Sequence, residues 1–277
     1  MVYHEVLPSE PLAPYINCFW MIQDDGCHQL EDISFPDGCL EIIFNMGAPV
    51  FRATDHKHFV RNPSVELIGQ MTQPFSIRSK GKRAMLGIRF YPHTAHYFIK
   101  EGMAVFNDEV LHPADLFGSD FLTLSDQVFN APGMAKKVAI LESFLITKLD
   151  SIGTKHQIID HAVKNILTHK NRSDLNSILI DCGISARYLQ KLFLQFVGIS
   201  PKMFIKIIRF QNTFKYLMQQ EPTLTSVAYD CGYFDQSHFI RDFKLLSGAC
   251  PTRFLAENHP YNSFFLQESN RSYLFDY

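Results

Sequence analysis

The stretch GYFDQSHFIRDFKLLSGACPTRF, residues 232–254, decides how this chain folds, because its pattern has already occurred once upstream. Asp230, Cys231 and Gly232 repeat Asp181, Cys182 and Gly183 at a distance of 49 residues. Phe239, Phe243, Gly248, Pro251 and Phe254 then repeat Leu189, Phe193, Gly198, Pro201 and Phe204 at a distance of 50. One extra residue follows the glycine of the second copy. Periods of this size mark a duplicated supersecondary unit.

Each copy reads as helix, glycine turn, helix. In the first, Asp174 is the expected N-cap, and Leu175, Ile178 and Leu179 supply an apolar face. Gly183 can take the left-handed conformation that ends a helix, and a second helix is expected over 185–196. In the second copy Thr223 is the cap, Val227 and Ala228 are apolar, and Gly232 turns the chain into a helix from about residue 235.

The second helix of each copy is sorted into two faces. Leu189, Leu192, Phe193 and Phe196 fall at i, i+3, i+4 and i+7 and must point inward, which leaves Arg187, Gln190 and Lys191 on the opposite side. Phe239, Phe243 and Leu246 likewise point inward, with Ser237, Arg241 and Lys244 outside and Gln236 and His238 beside them near the helix start. Arg, Lys, Gln and Ser are the donors used on base edges and phosphates. Residues 201–219 read as one connecting helix of roughly 28 Å, with Pro201 in its first turn. Successive major-groove faces lie about 34 Å apart, so such a rod could hold two recognition helices in adjacent grooves. Lys202, Lys206, Arg209 and Lys215 make the rod basic and are expected to add phosphate contacts. Two copies are too few for a solenoid, and a purely structural helix pair would leave the polar outer faces unexplained.

Residues 232–254 closely resemble the signature of the AraC/XylS-type transcription regulators, and 183–193 with 198–201 resemble that family's weaker first unit. The resemblance covers roughly 155–255. It implies two tandem helix-turn-helix units joined by a long helix, bound to double-stranded DNA. It also implies Arg187, Gln190 and Lys191 of the first unit, and Gln236, Ser237, His238 and Arg241 of the second, as the DNA-facing positions. Leu179 stands where the family usually has a small residue, and Leu255 where Arg is common.

Ahead of the repeat, the first ~130 residues read as strand-rich, with candidates at 15–22, 39–45, 65–70 and 84–90 and a tight turn at Pro36, Asp37 and Gly38. Short strands between frequent turns predict a small barrel or sandwich. FPDGCLEIIF (35–44) with LGIRFYP (86–92) resembles a poorly characterised cupin-like domain often placed ahead of such DNA-binding domains. By analogy it implies a sensor or dimerisation role. Two helical patterns follow, over 134–149 and 155–169, broken at 151–154. The fold class expected is therefore α+β: a cupin-like β-barrel or sandwich over 1–152, then an all-α domain over 153–258. The aromatic-rich tail, 259–277, shows no period. The stripe Val138, Leu141, Leu145 and Leu149, flanked by Lys136, Lys137 and Glu142, is expected to form a homodimer seam.

Composition narrows the function classes. The 277 residues carry a net charge of −2, but 170–258 hold eleven Lys and Arg against seven Asp and Glu, so a basic back follows an acidic front. No run approaches the roughly 18 apolar residues of a membrane helix, and the N-terminus lacks a secretion signal, so a cytoplasmic protein without membrane contact is expected. The six cysteines show neither C-x-x-C pairs nor zinc-finger spacing and read as reduced, small apolar residues. Cys182 and Cys231, beside the turn glycines, are expected to pack rather than sense redox. Spacing likewise argues against a zinc-dependent alkylation sensor built on Cys18, Cys27 and Cys39.

His56 with His58, and His93 with His96, are the close histidine pairs. A metal-binding cupin normally follows its H-x-H with Glu a few residues on, whereas here the next one is Glu66. These histidines read as surface or loop residues, and no metal, cofactor or enzymatic activity is expected. The aromatics of 15–20 and Phe264 with Phe265 read as core in preference to a ligand pocket. The reading is thus of a regulator, activator or repressor, with duplex DNA, RNA polymerase and a small-molecule effector as expected partners.

Overall fold

A computed structural model of the chain describes residues 1–26, 29–55, 57–149, 156–169, 175–217 and 223–257. The tail, the break at 151–154, the Asp174 cap, Cys27 and His56 lie outside the described residues. The strands are β1 (Val2–Val6), β2 (Ile16–Asp24), β3 (Gln29–Ser34), β4 (Glu41–Asn45), β5 (Val50–Ala53), β6 (Val60–Arg61), β7 (Val65–Ile68), β8 (Phe75–Lys80), β9 (Arg83–Phe90) and β10 (Val110–Leu111). They form two antiparallel sheets, ordered β1-β2-β9-β4-β7-β10 and β3-β8-β5-β6.

β2, β4, β7 and β9 are the four strands expected from sequence, and all lie within the larger sheet. Both of its faces are buried, so they read as apolar runs. Phe19 and Met21 of β2 face one core with Ile42, Phe44, Leu86 and Ile88, while Cys18, Trp20 and Ile22 face the other way with Ile43. Gly87 pairs with Trp20 across the sheet, where an added Cβ would strike the indole ring at 2.0 Å. The smaller sheet escaped the sequence reading because β3 and β8 mix charged and polar residues with the apolar ones and leave no continuous run.

Residues 114–130 correct the strand-rich expectation. They form α1 (Ala114–Phe117) and α2 (Ser119–Asn130), and Phe121, Leu124 and Val128 are buried at helical spacing. α3 (Gly133–Leu149) packs beside α2 and corrects the dimer seam. Val138, Leu141 and Leu145 are buried in the protein's own core against the larger sheet, and Leu149 packs at its edge. Lys137 is buried as well, its ammonium donating to the carbonyls of Val128 and Phe129 at the C-terminus of α2.

The helical region comprises α4 (Gln157–Thr168), α5 (Leu175–Cys182), α6 (Ala186–Phe196), α7 (Pro201–Leu217), α8 (Leu224–Asp230), α9 (Gln236–Ser247) and α10 (Pro251–Ala256). One core joins them, and the N-terminal region contributes Cys39, Phe35 and Tyr91 to it. The tight turn expected at 36–38 is the wedge between the regions. Phe35 stacks on Phe214 at 5.6 Å and meets Phe210 and Phe254 edge-on. Gln211 donates to the carbonyl of Pro36 at 2.6 Å. Gly38, at φ +84°, lies under Phe204 and Ile208, where a Cβ would come within 3.2 Å of both.

A second contact lies at the other end of α7, where Asn107 donates to the carbonyl of Gly198 at 2.7 Å. His93 pairs with Asp160 at 3.1 Å, and the His96 ring packs on Tyr97, His156 and Phe196. His93 and His96 are therefore interface residues, which corrects their reading as surface or loop histidines. Burial drives the pKa of His96 down to about 4.

Candidate nucleic-acid interface

The two copies of the repeat fold as the spacing requires. Ser185 caps α6 by accepting from the Tyr188 backbone N–H at 3.2 Å, and Asp235 caps α9 by accepting from that of His238 at 2.7 Å. Thr223 caps α8, as expected, by accepting from the N–H of Ser226. Gly183 and Gly232 both turn at positive φ, +63° and +72°, which sets the second helix of each unit across the first. α7 spans 17 residues, about 25 Å.

The faces are sorted as well. Leu189, Leu192, Phe193 and Phe196 are buried, as are Phe239, Phe243 and Leu246. Arg187, Gln190 and Lys191 are exposed on α6, and Gln236, Ser237, Arg241 and Lys244 on α9. Arg187, Lys191, Arg241 and Lys244 form no ion pair with another described residue, so their charges face solvent. The Gln236 side-chain oxygen accepts from Thr225 at 2.9 Å, which braces α9 on α8.

His238 is placed differently from its neighbours. Its ring turns back along the helix to Asp242 at 3.3 Å and meets the Tyr233 ring edge-on. Asp242 is buried and also binds Lys206 of α7 at 2.9 Å. The guanidinium of Arg209 lies over the Tyr233 ring. Lys206 and Arg209 thus brace the second unit on the connecting helix. Lys202 and Lys215 stay exposed.

Sequence reasoning passed over two aromatic side chains on this surface. Phe234, in the turn before α9, is 86% exposed, and Tyr188 stands out beside Arg187. Their neighbours in the helical period gave a signal, since neither falls on the buried stripe. Leu179 is half-buried against the helical core and Leu255 is exposed. Burial raises the thiol pKa of Cys182 and takes that of Cys231 up to about 12, so neither is set up as a thiolate. Among the described residues, no group of three or more His, Cys, Asp and Glu is placed to hold a metal. None of the helices in the described residues is long and apolar enough to cross a membrane.

Comparison with known proteins finds two domain matches within the chain. Residues 181–257 match a helix-turn-helix domain, and residues 4–112 match a domain of unknown function (DUF6597). Among solved structures, ToxT from Vibrio cholerae is similar at 14% identity, covering 86% of this chain and 98% of its own, with a TM-score of 0.49. A probable AraC family transcriptional regulator from Rhodopseudomonas palustris is 27% identical over 38% of this chain and 99% of its own, with a TM-score of 0.34. The C-terminal domain of AraT, a response regulator from Geobacillus stearothermophilus, is 23% identical over 38% of this chain and 95% of its own, with a TM-score of 0.34. ToxT has also been solved bound to an unsaturated fatty acid. No curated protein matches the chain.

Proposed function

We propose that the chain, whose residues 181–257 match a helix-turn-helix domain, is an AraC-type regulator that controls transcription by setting α6 and α9 in successive major grooves. In this reading Arg187, Gln190 and Lys191 read one block of bases, and Gln236, Ser237, His238 and Arg241 read the other. The single observation that carries it is the pair of exposed polar faces on two capped helices that both pack against α7. His238 reaches the groove once its ring swings off Asp242.

The N-terminal region, within residues 1–152, acts as the sensor. Its cavity lies between the two sheets and includes Glu41, whose carboxylate binds Arg89 at 2.7 Å. Arg89 in turn meets Asp37 at 3.4 Å, inside the turn that grips α7. A ligand in the barrel thereby bears on the helix that spaces the two DNA readers. The protein works in the cytoplasm as a regulator rather than an enzyme, with a small-molecule effector and RNA polymerase as partners and a homodimer as its assembly.

The test is selection of bound sequences from a pool of random duplex DNA, with Arg187→Ala and Arg241→Ala alongside. Two short blocks about one helical turn apart, each relaxed by one variant, are the expected outcome. A chain that is folded yet enriches no sequence at moderate salt would refute the reading.

A further inference from the structure

A narrow cavity of about 80 Å³ lies between the two sheets. Its walls are apolar: Ile22, Ile43, Ile68 and Met85 from the larger sheet, Phe75 and Ile77 from the smaller. Polar side chains interrupt this lining, and three of them, Glu66, Asn62 and Ser79, are more than nine-tenths buried.

Their hydrogen bonding is incomplete. Asn62 donates its amide N–H to Glu66 at 2.8 Å, while the Asn62 side-chain oxygen and the Ser79 hydroxyl have no partner. Glu66 forms no ion pair among the described residues; Arg52 reaches it only as a distant charge. Burying a carboxyl and an amide oxygen is costly unless donors meet them. This end of the cavity therefore sets an unmet amide oxygen, a carboxyl and a hydroxyl that can donate or accept against apolar walls. Near the end of β2 and the start of β9 the polarity reverses. Arg83 spends one nitrogen on Asp24 and keeps Nε and Nη1 buried without partners.

Taking the barrel as the effector site, as proposed above, we infer that its lumen binds a small molecule with a donor head, ammonium or hydroxyl, at Glu66, Asn62 and Ser79, and an apolar body. An acceptor on the outer end of that molecule would meet Arg83. A carboxylate head is disfavoured beside Glu66 and Asn62, because it offers no donor to the Asn62 oxygen and would be repelled by Glu66 once Glu66 ionises.

Three probes of one chain length test this on the full chain: hexylamine, hexan-1-ol and hexanoate, titrated while the methyl resonances of the lumen isoleucines and Met85 are followed. Hexylamine and hexan-1-ol should bind at least tenfold more tightly than hexanoate. Glu66→Gln should bring hexylamine down to the level of the alcohol, and Ser79→Ala, which keeps the carboxyl, should weaken both. Hexanoate binding as well as the amine, with an order unchanged by Glu66→Gln, overturns the donor-head assignment and leaves the effector reading standing. Lumen resonances unmoved by every probe also overturn it. Conversely, a lumen saturated with hexylamine that leaves duplex-DNA affinity unchanged sinks the effector reading while the ligand class survives.

Discussion

The side-chain amide of Gln211, in the middle of the helix that joins the two helix-turn-helix units, donates to the backbone carbonyl of Pro36 at 2.6 Å, across 175 residues of sequence. Gln211 is buried. The connecting helix is thus seated on the N-terminal region through the turn that Phe35, Pro36 and Gly38 build.

Phe35→Ala should cost about 2–3 kcal/mol, less than a fully buried ring would, because Phe35 is half-buried. Phe35 touches three phenylalanines of the helical region, so the loss should fall on the contact between regions. Urea denaturation followed by far-ultraviolet circular dichroism checks it. A change below 1 kcal/mol would show that the wedge contributes little.

Glu66 gives stability a pH dependence of defined sign. Burial raises its pKa from 4.5 to about 7. Between these values the unfolded chain has lost the proton and the folded chain keeps it, so stability declines as pH rises from about 4.5 through 7. The full effect approaches about 3 kcal/mol. Glu66→Gln should remove this decline, seen as a smaller loss of melting temperature between pH 5 and pH 8. An unchanged pH profile in the variant would rule Glu66 out as its source.

His96 acts at the acid side with the opposite sign. Its folded pKa is held near 4 by burial. The unfolded chain takes up the proton first, so stability present above about pH 6.5 is lost as pH falls toward 4. On the order of 2 kcal/mol is at stake. His96→Phe keeps the ring against Phe196 and should flatten the profile between pH 7 and pH 5. Steep acid loss persisting in that variant would assign the effect elsewhere.

Asp242→Ala removes the partner shared by Lys206 and His238. The expected cost is about 1–3 kcal/mol, since one buried charge pair is broken. Freed from Asp242, His238 should also change base preference in the block read by the second unit and leave the first block alone. Selection from random duplexes reads this directly, and identical preferences in both blocks would show that the brace has no part in recognition.

The helical region was legible in detail because its signals are local. Gly183 and Gly232, the cap at Thr223 and the buried stripes through Leu189 and Phe239 lie within a few residues of one another, and a 3.6-residue period displays them. In the N-terminal region the same logic found the four strands buried on both faces. It missed β3 and β8, whose inward residues alternate with charged ones, and α2, whose period of Phe121, Leu124 and Val128 went unread.

The sequence by itself determined the duplicated unit, the outward polar faces of α6 and α9 and the α+β division, since each follows from spacing along the chain. Which exposed groups are spoken for was a matter for tertiary structure. Lys206, Arg209 and His238 look equivalent to Lys202 and Arg241 in sequence, yet Asp242 and Tyr233 hold them. The stripe of α3 looked ready for a second copy, but the protein's own sheet covers it. Contacts of this kind join residues far apart in the chain, and no local period records them.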